Sequence, residues 1–197
     1  MISLKSIESS LNNHTPEILS VADIHRAAVA AVLCEYDDGV ELLFIERARV
    51  DGDPWSGHIA FPGGRKEDVD AGARETAERE TLEELGLDLG TGRYLGRLDD
   101  MAAHIDPIKV SGFVYHIDKT DTFMYSHEVH KAFWFPLQGL IDTTRQKIYQ
   151  VPGEIPTRLV PSIDLLGPGH TVLWGLTYRF VMQLMEMAGV QLPKHTL

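Results

Sequence analysis

The stretch from Ala73 to Leu85 contains neither proline nor glycine, is rich in strong helix formers, and lies between Pro62-Gly63-Gly64 and Gly86. It predicts a helix that stops at Gly86, because glycine takes the left-handed conformation that ends a helix at little steric cost. The residues His58-Ile-Ala-Phe61 ahead of the glycines read as a brief strand, so the unit is strand, loop, helix. On that helix Glu80, Glu83 and Glu84 fall within an arc of about 100° over roughly one turn. Like charges this close repel by a few tenths of a kcal/mol per pair on a solvated helix. Bound Mg²⁺ or Mn²⁺ would turn the repulsion into coordination, since hard cations prefer oxygen ligands. Arg79 stands four residues after Glu75 and four before Glu83, placed to bridge and orient carboxylates on either side. The side-chain-free backbone of Gly63-Gly64 can approach a phosphate or offer a carbonyl to a metal.

The rest of the chain fits one layered unit over residues 1–197, with no internal repeat and no linker-like tract among its 197 residues. Residues 4–12 predict a short leading helix within an N-terminal extension of about residues 1–20. Arg26 to Tyr36 reads as a buried strand, Asp37-Asp38-Gly39 as its turn and Val40 to Arg47 as its partner. Further strands are expected at Ile108–Ile117 and at Lys131–Phe135, closed by Pro136. A last helix is expected from about Val172 to Met187, with Leu173, Leu176, Phe180, Val181, Leu184 and Met187 as its core stripe. Strands interleaved with helices predict an α/β or α+β layered domain.

Eighteen Lys and Arg against 29 Asp and Glu give a formal charge of −11, which argues against nucleic-acid and anionic-membrane partners. A small anionic substrate remains compatible, provided that divalent cations neutralise the carboxylates around it. The single cysteine, Cys34, cannot form an internal bridge, so a reducing cytoplasm is the expected compartment. Its apolar run, Ala27-Ala-Val-Ala-Ala-Val-Leu-Cys34, is too short to span a bilayer. Nine histidines are scattered at 14, 25, 58, 104, 116, 127, 130, 170 and 195. His127-x-x-His130 has no companion ligands, so no structural zinc is expected.

The segment Gly64 to Leu87 resembles the Nudix box, G-x₅-E-x₇-R-E-U-x-E-E-x-G-U with U aliphatic, the signature of hydrolases acting on nucleoside diphosphates linked to another moiety. Arg79-Glu80-Thr81-Leu82-Glu83-Glu84-Leu85-Gly86-Leu87 matches its second half at every fixed position except Thr81. In the first half Asp70 stands in place of the glutamate, with eight residues between it and Arg79 instead of seven, which leaves the role of Asp70 open. Leu43-Phe-Ile-Glu-Arg47, His58-Ile-Ala-Phe-Pro-Gly-Gly64, the one-residue insertion and Leu173-Trp-Gly-Leu-Thr177 are similar to the coenzyme A pyrophosphatase branch. Gly52-Asp-Pro-Trp-Ser-Gly57 departs from that branch.

The resemblance implies a Nudix-type α/β/α sandwich with a mixed sheet flanked by helices, and water attack on a pyrophosphate phosphorus. It implies a metal, Mg²⁺ or Mn²⁺, held by Glu80, Glu83, Glu84 and a carbonyl near Gly64, with Arg79 as a supporting group. The base is either a glutamate of the box or a later carboxylate, for which Glu128 is the candidate. Arg47, Gly63, Gly64 and Arg65 are candidates for holding phosphate, with Arg49 a further cation near the loop. Trp55 either stacks on an adenine ring or packs its own turn. The expected substrate is coenzyme A or a derivative. The alternatives are ADP-ribose, another dinucleotide, an oxidised nucleoside triphosphate, or nucleotide sensing without catalysis. A homodimer is the expected assembly.

Overall fold

The computed structural model describes residues 2–20, 25–36, 39–53, 55–102, 108–118, 120–152 and 157–193. Asp37 and Asp38 of the expected turn lie outside the described residues, as do His104 and His195. Helix α1 (Leu4–Asn13) leads into β1 (His25–Tyr36) and β2 (Gly39–Arg47). Then come β3 (Ile59–Ala60), β4 (Gly63–Arg65), α2 (Ala73–Leu85), β5 (Arg93–Arg97), β6 (Met101–Ala102), β7 (Ile108–His116) and β8 (Val129–Pro136). A hairpin of β9 (Gln146–Gln150) and β10 (Leu159–Ile163) precedes α3 (Gly175–Met187).

The main sheet runs β3-β2-β1-β7-β5, with β4 also on β1, β6 on β7 and β8 on β2. It is mixed, because β1 pairs parallel with β7 and antiparallel with β2 and β4. Strand alternation sorts β1 between two cores: Ala28, Ala30 and Val32 meet Ala77 and Leu85 of α2, while Ala31 and Leu33 share the other core with α1 and α3. Small residues along the central strand let helices approach both faces. The product is an α/β/α sandwich, with α2 on one side and α1 and α3 on the other. Among the described residues, no helix is long and apolar enough to cross a membrane.

Three departures from the sequence reading have local causes. Gly63-Gly64 is not a free loop but part of β4, registered against Val29 and Ala28. A side chain on Gly63 would put its Cβ 2.2 Å from the Ala28 carbonyl oxygen, so the pairing requires glycine there. The last helix starts at Gly175, not near Val172, because Leu173 exchanges backbone hydrogen bonds of 2.8 and 2.9 Å with Ile163. Leu173 nevertheless joins the same core as Phe180, Val181 and Leu184. The β9–β10 hairpin was not expected at all: its strands are short, and Pro161 interrupts the apolar pattern.

Candidate active site

Helix α2 carries an unusual buried face, made of Thr76, Ala77, Thr81, Glu84 and Leu85. Gly86 ends the helix in the left-handed conformation, at φ 66°, and returns its N–H to the Leu82 carbonyl. Thr81, where the Nudix box has an aliphatic residue, donates its hydroxyl to the Ala77 carbonyl at 2.7 Å, so a polar atom is satisfied inside an apolar layer.

Glu84 is the exceptional member, a carboxylate only 3% exposed. Its Oε2 accepts the Gly63 N–H at 2.9 Å, which ties α2 to β4. Burial pushes its carboxyl up to about 8, against the pull of that hydrogen bond, and the charges of Glu80 and Glu128 push the same way. Burial also raises Glu80, opposed by Arg79 and reinforced by Glu83 and Glu128. The Glu80 carboxylate lies against Gly64, where a Cβ would come within 2.4 Å of it. Glycine at 64 is therefore the space that Glu80 occupies.

One guanidinium organises the glutamates. Arg79 donates from Nε to Asp70 Oδ1 at 2.9 Å and from Nη2 to Asp70 Oδ2 at 3.1 Å. Nη2 also reaches Glu80 Oε1 at 3.0 Å and the Arg65 carbonyl at 3.1 Å, while Nη1 meets Glu83 Oε2 at 3.0 Å. Asp70 is buried and accepts in addition from Thr76 Oγ1 and the Glu67 N–H, both at 2.9 Å. The Arg79 fork holds the Asp70 carboxyl well below the usual carboxylate range. The shortened acid and the additional residue before Arg79 thus end in a bidentate pair. Glu75, the other expected partner of Arg79, sits in the first turn of α2 beside Gly72.

These groups border a cavity of about 950 Å³ at one end of the sheet. Of the residues singled out by sequence, Arg47, Trp55, Gly63, Gly64, Arg65, Glu80 and Glu128 line it. Glu84 stands behind β4, Arg79 beside Glu80, and Glu83 turns to Arg79 with its side chain 57% exposed. Arg49 packs near Gly57 and is not part of the lining. Sequence reasoning missed Asp53, His58, Trp174, Arg158 and Arg179, which also line the cavity. Arg158 precedes β10 and Arg179 lies on α3, so no local spacing links them to the box; the Trp174-Gly-Leu-Thr177 motif was the available signal. Burial lowers the pKa of His58, with Arg47 acting in the same sense and Asp53 opposing.

Among the described residues, no three His, Cys, Asp or Glu side chains converge as a ready ligand set. The donors nevertheless suit a hard divalent cation. Glu80 and Glu84 are hard carboxylates raised by burial, Glu84 also by the charge of Glu80, with Glu128 adding to the same negative field at both.

The family description "NUDIX domain" matches residues 24–155. The human mitochondrial coenzyme A diphosphatase NUDT8 is 32% identical over 166 residues, 81% of this chain and 69% of that protein. An uncharacterized protein of Schizosaccharomyces pombe is 35% identical over 108 residues, 51% of this chain and only 33% of its own length. A MutT/nudix family protein from Enterococcus faecalis superposes with a TM-score of 0.55 at 15% identity, over 95% of this chain and 75% of that one, a likeness of fold. With the family match spanning most of the chain and the carboxylate helix held as described, the protein belongs to the Nudix family of hydrolases.

Proposed function

We propose that this chain hydrolyses a nucleoside diphosphate linked to another moiety, with coenzyme A or a derivative as substrate, cut at the pyrophosphate. The observation that carries the reading is one cavity that sets the carboxylates Glu80 and Glu128 against the arginines Arg47, Arg65, Arg158 and Arg179. A substrate bearing a pyrophosphate and a further phosphate requires several cations, and a chain of net charge −11 gathers four of them here. Similarity to a protein named as a coenzyme A diphosphatase supports the same substrate class.

In this mechanism Arg47 and Arg65, at the ends of β2 and β4, hold and orient the bridging phosphates. Glu80 and Glu84, with Glu83 and the carbonyl near Gly64, would hold Mg²⁺ or Mn²⁺. Such an ion polarises phosphate oxygens and acidifies water. Arg79, fixed by Asp70, keeps the Glu80 carboxylate in one orientation. Glu128, exposed on the segment before β8 and close enough for its charge to act on half-buried Glu80 and buried Glu84, takes the proton of the attacking water at its carboxylate. We take the assembly to be a homodimer. We place the chain in the cytoplasm, where its one buried thiol, Cys34, suits reducing conditions.

The test is incubation with coenzyme A, dephospho-coenzyme A, ADP-ribose and dinucleotides in the presence of Mg²⁺ or Mn²⁺, with products identified by mass. Release of 3′,5′-ADP and a 4′-phosphopantetheine fragment, with coenzyme A preferred, is the expected result. A much higher kcat/KM for ADP-ribose would remove the coenzyme A assignment, and inertness towards the whole panel would remove hydrolysis.

A further inference from the structure

The β9–β10 hairpin leaves one strand edge open. Among the described residues β9 pairs with β10 alone, in a two-stranded sheet apart from the main one. The ladder has a fixed phase. Val151 N–H reaches the Arg158 carbonyl at 2.9 Å and Asp164 N–H the Arg145 carbonyl at 2.8 Å, so the bonded pairs step by two through Tyr149 with Val160 and Lys147 with Ser162. The backbone groups of Ile148 and Gln150 therefore point away from β10. Pro161, opposite Ile148, has the same phase, which is why a residue without an N–H costs the hairpin no bond. Ile163 agrees, because its outward N–H and C=O are the groups that pair with Leu173.

An open edge is a template for another strand, and β9 has the chemistry to accept its own copy. Gln146-Lys-Ile-Tyr-Gln150 reads nearly the same in both directions. Paired antiparallel about Ile148, two copies set Ile148 against the partner's Ile148 and Gln146 against the partner's Gln150. Lys147 then faces the partner's Tyr149 ring instead of a second lysine, so no like charges meet across the axis. The Ile148 face is apolar and bare: Ile148 is 39% and Leu159 54% exposed, with exposed Pro161 beside both. Neither strand holds an Asp or Glu, on a chain of net charge −11, so two such chains meet here without setting acid against acid.

We propose that β9 is the contact between two copies of this chain, in an isologous antiparallel pairing centred on Ile148 that joins the two hairpins into one four-stranded sheet. The Ile148 N–H of each copy donates to the partner's Ile148 carbonyl, and each Gln150 N–H donates to the partner's Gln146 carbonyl. Gln146 N–H stays with the Thr143 carbonyl of its own chain. The contact also braces the cavity, since β9 carries Tyr149, packed 5.1 Å from the Trp174 ring of the lining, and Arg158 of the same lining directly precedes β10. The inference names the surface of the homodimer taken above and rests on that reading, not on the choice of substrate.

The test uses the full chain. Sedimentation over a concentration series is expected to show a reversible dimer. Amide exchange read by NMR is expected to show Ile148 and Gln150 losing protection on dilution, while Lys147 and Tyr149, bonded within the hairpin, keep theirs. Ile148→Lys and Ile148→Glu each set like charges opposite one another and should weaken the dimer about tenfold or more, whereas mixing the two variants restores it as a heterodimer. Ile148 is exposed, so both variants keep the monomer fold, which circular dichroism checks. A wild type that is monomeric at every concentration would overturn the surface and the homodimer together, leaving the edge to an extended segment of another protein. Dimers that persist in both variants would keep the homodimer and overturn the surface. Loss in both variants without rescue on mixing would overturn the self-opposed pairing, as would Ile148 protection that dilution does not change.

Discussion

Arg79 grips both oxygens of Asp70 along one edge of its guanidinium, Nε to Oδ1 at 2.9 Å and Nη2 to Oδ2 at 3.1 Å, nine positions apart along the chain. This fork fixes the group that also holds Glu80 and Glu83. Asp70 fits the pair because the turn carries it: the Glu67 N–H and Lys66 Nζ bond its side chain and backbone.

Asp70→Asn should remove one arm of the fork and leave Arg79 partly unpaired. A loss of about 3 kcal/mol in urea unfolding at pH 7 is expected, the scale for breaking a buried pair. Asp70 is held below its unfolded pKa of about 3.9, so its contribution is complete above that pH and disappears as pH falls through the folded value. The stability gap between wild type and variant should therefore narrow below about pH 4. A gap independent of pH would contradict the ion pair. Activity should fall about 10- to 100-fold through kcat with little change in KM, since Arg79 acts through Glu80.

Glu84 predicts the opposite sign. Its folded pKa is raised to about 8, so the stability it allows is greatest below its unfolded value and is lost as pH rises towards 8. In metal-free protein, Glu84→Gln should thus be more stable than wild type by a few kcal/mol at pH 9 and nearly equal at pH 4. The same variant should lose most of its activity. Thermal unfolding across that pH range, in EDTA, decides the first point; a variant less stable than wild type at pH 9 would contradict it.

The two glycines of β4 should fail differently. Gly63→Ala drives a Cβ into the backbone of Ala28 and Val29, which cannot yield, so it should unfold readily. The nearest atoms to a Cβ in Gly64→Ala belong to the Glu80 carboxylate, the end of a side chain that can move, so the fold should persist while Glu80 is displaced. Circular dichroism with turnover separates them: a folded, fully active Gly64→Ala enzyme would show that the position of Glu80 is not critical.

Arg158→Ala and Arg179→Ala test the cations that come from outside the box. Arg179 is oriented by its bond to the Ala102 carbonyl at 3.1 Å. If either reads the 3′-phosphate, its loss should raise KM for coenzyme A about tenfold and leave dephospho-coenzyme A unaffected, because a charge-assisted hydrogen bond is at stake. Equal effects on both substrates in both variants would assign these arginines elsewhere.

Much of this was legible in the sequence because it is local. Helix α2 matches the expected Ala73–Leu85 at both ends, since helix propensity and the Gly86 stop act within a few residues. β1 and β2 were visible as apolar runs, and the layered class followed from the order of elements. The orientation of Glu84 towards β4 was not legible, because periodicity places a residue on a face without saying which neighbour that face meets. The turn of Asp70 towards Arg79 was hidden by the added residue in the box. Trp174, Arg158 and Arg179 reach the cavity through long-range folding of the hairpin and α3, and a pattern confined to one segment carries no record of that.

Metal-assisted pyrophosphate cleavage by Glu80, Glu84 and Glu128 is decided by coenzyme A turnover before EDTA, in EDTA, and after addition of excess Mn²⁺. Release of 3′,5′-ADP should stop with chelation, return with Mn²⁺, and be largely lost throughout in Glu84→Gln. Undiminished release in EDTA, or wild-type turnover by the glutamine variant, would contradict it.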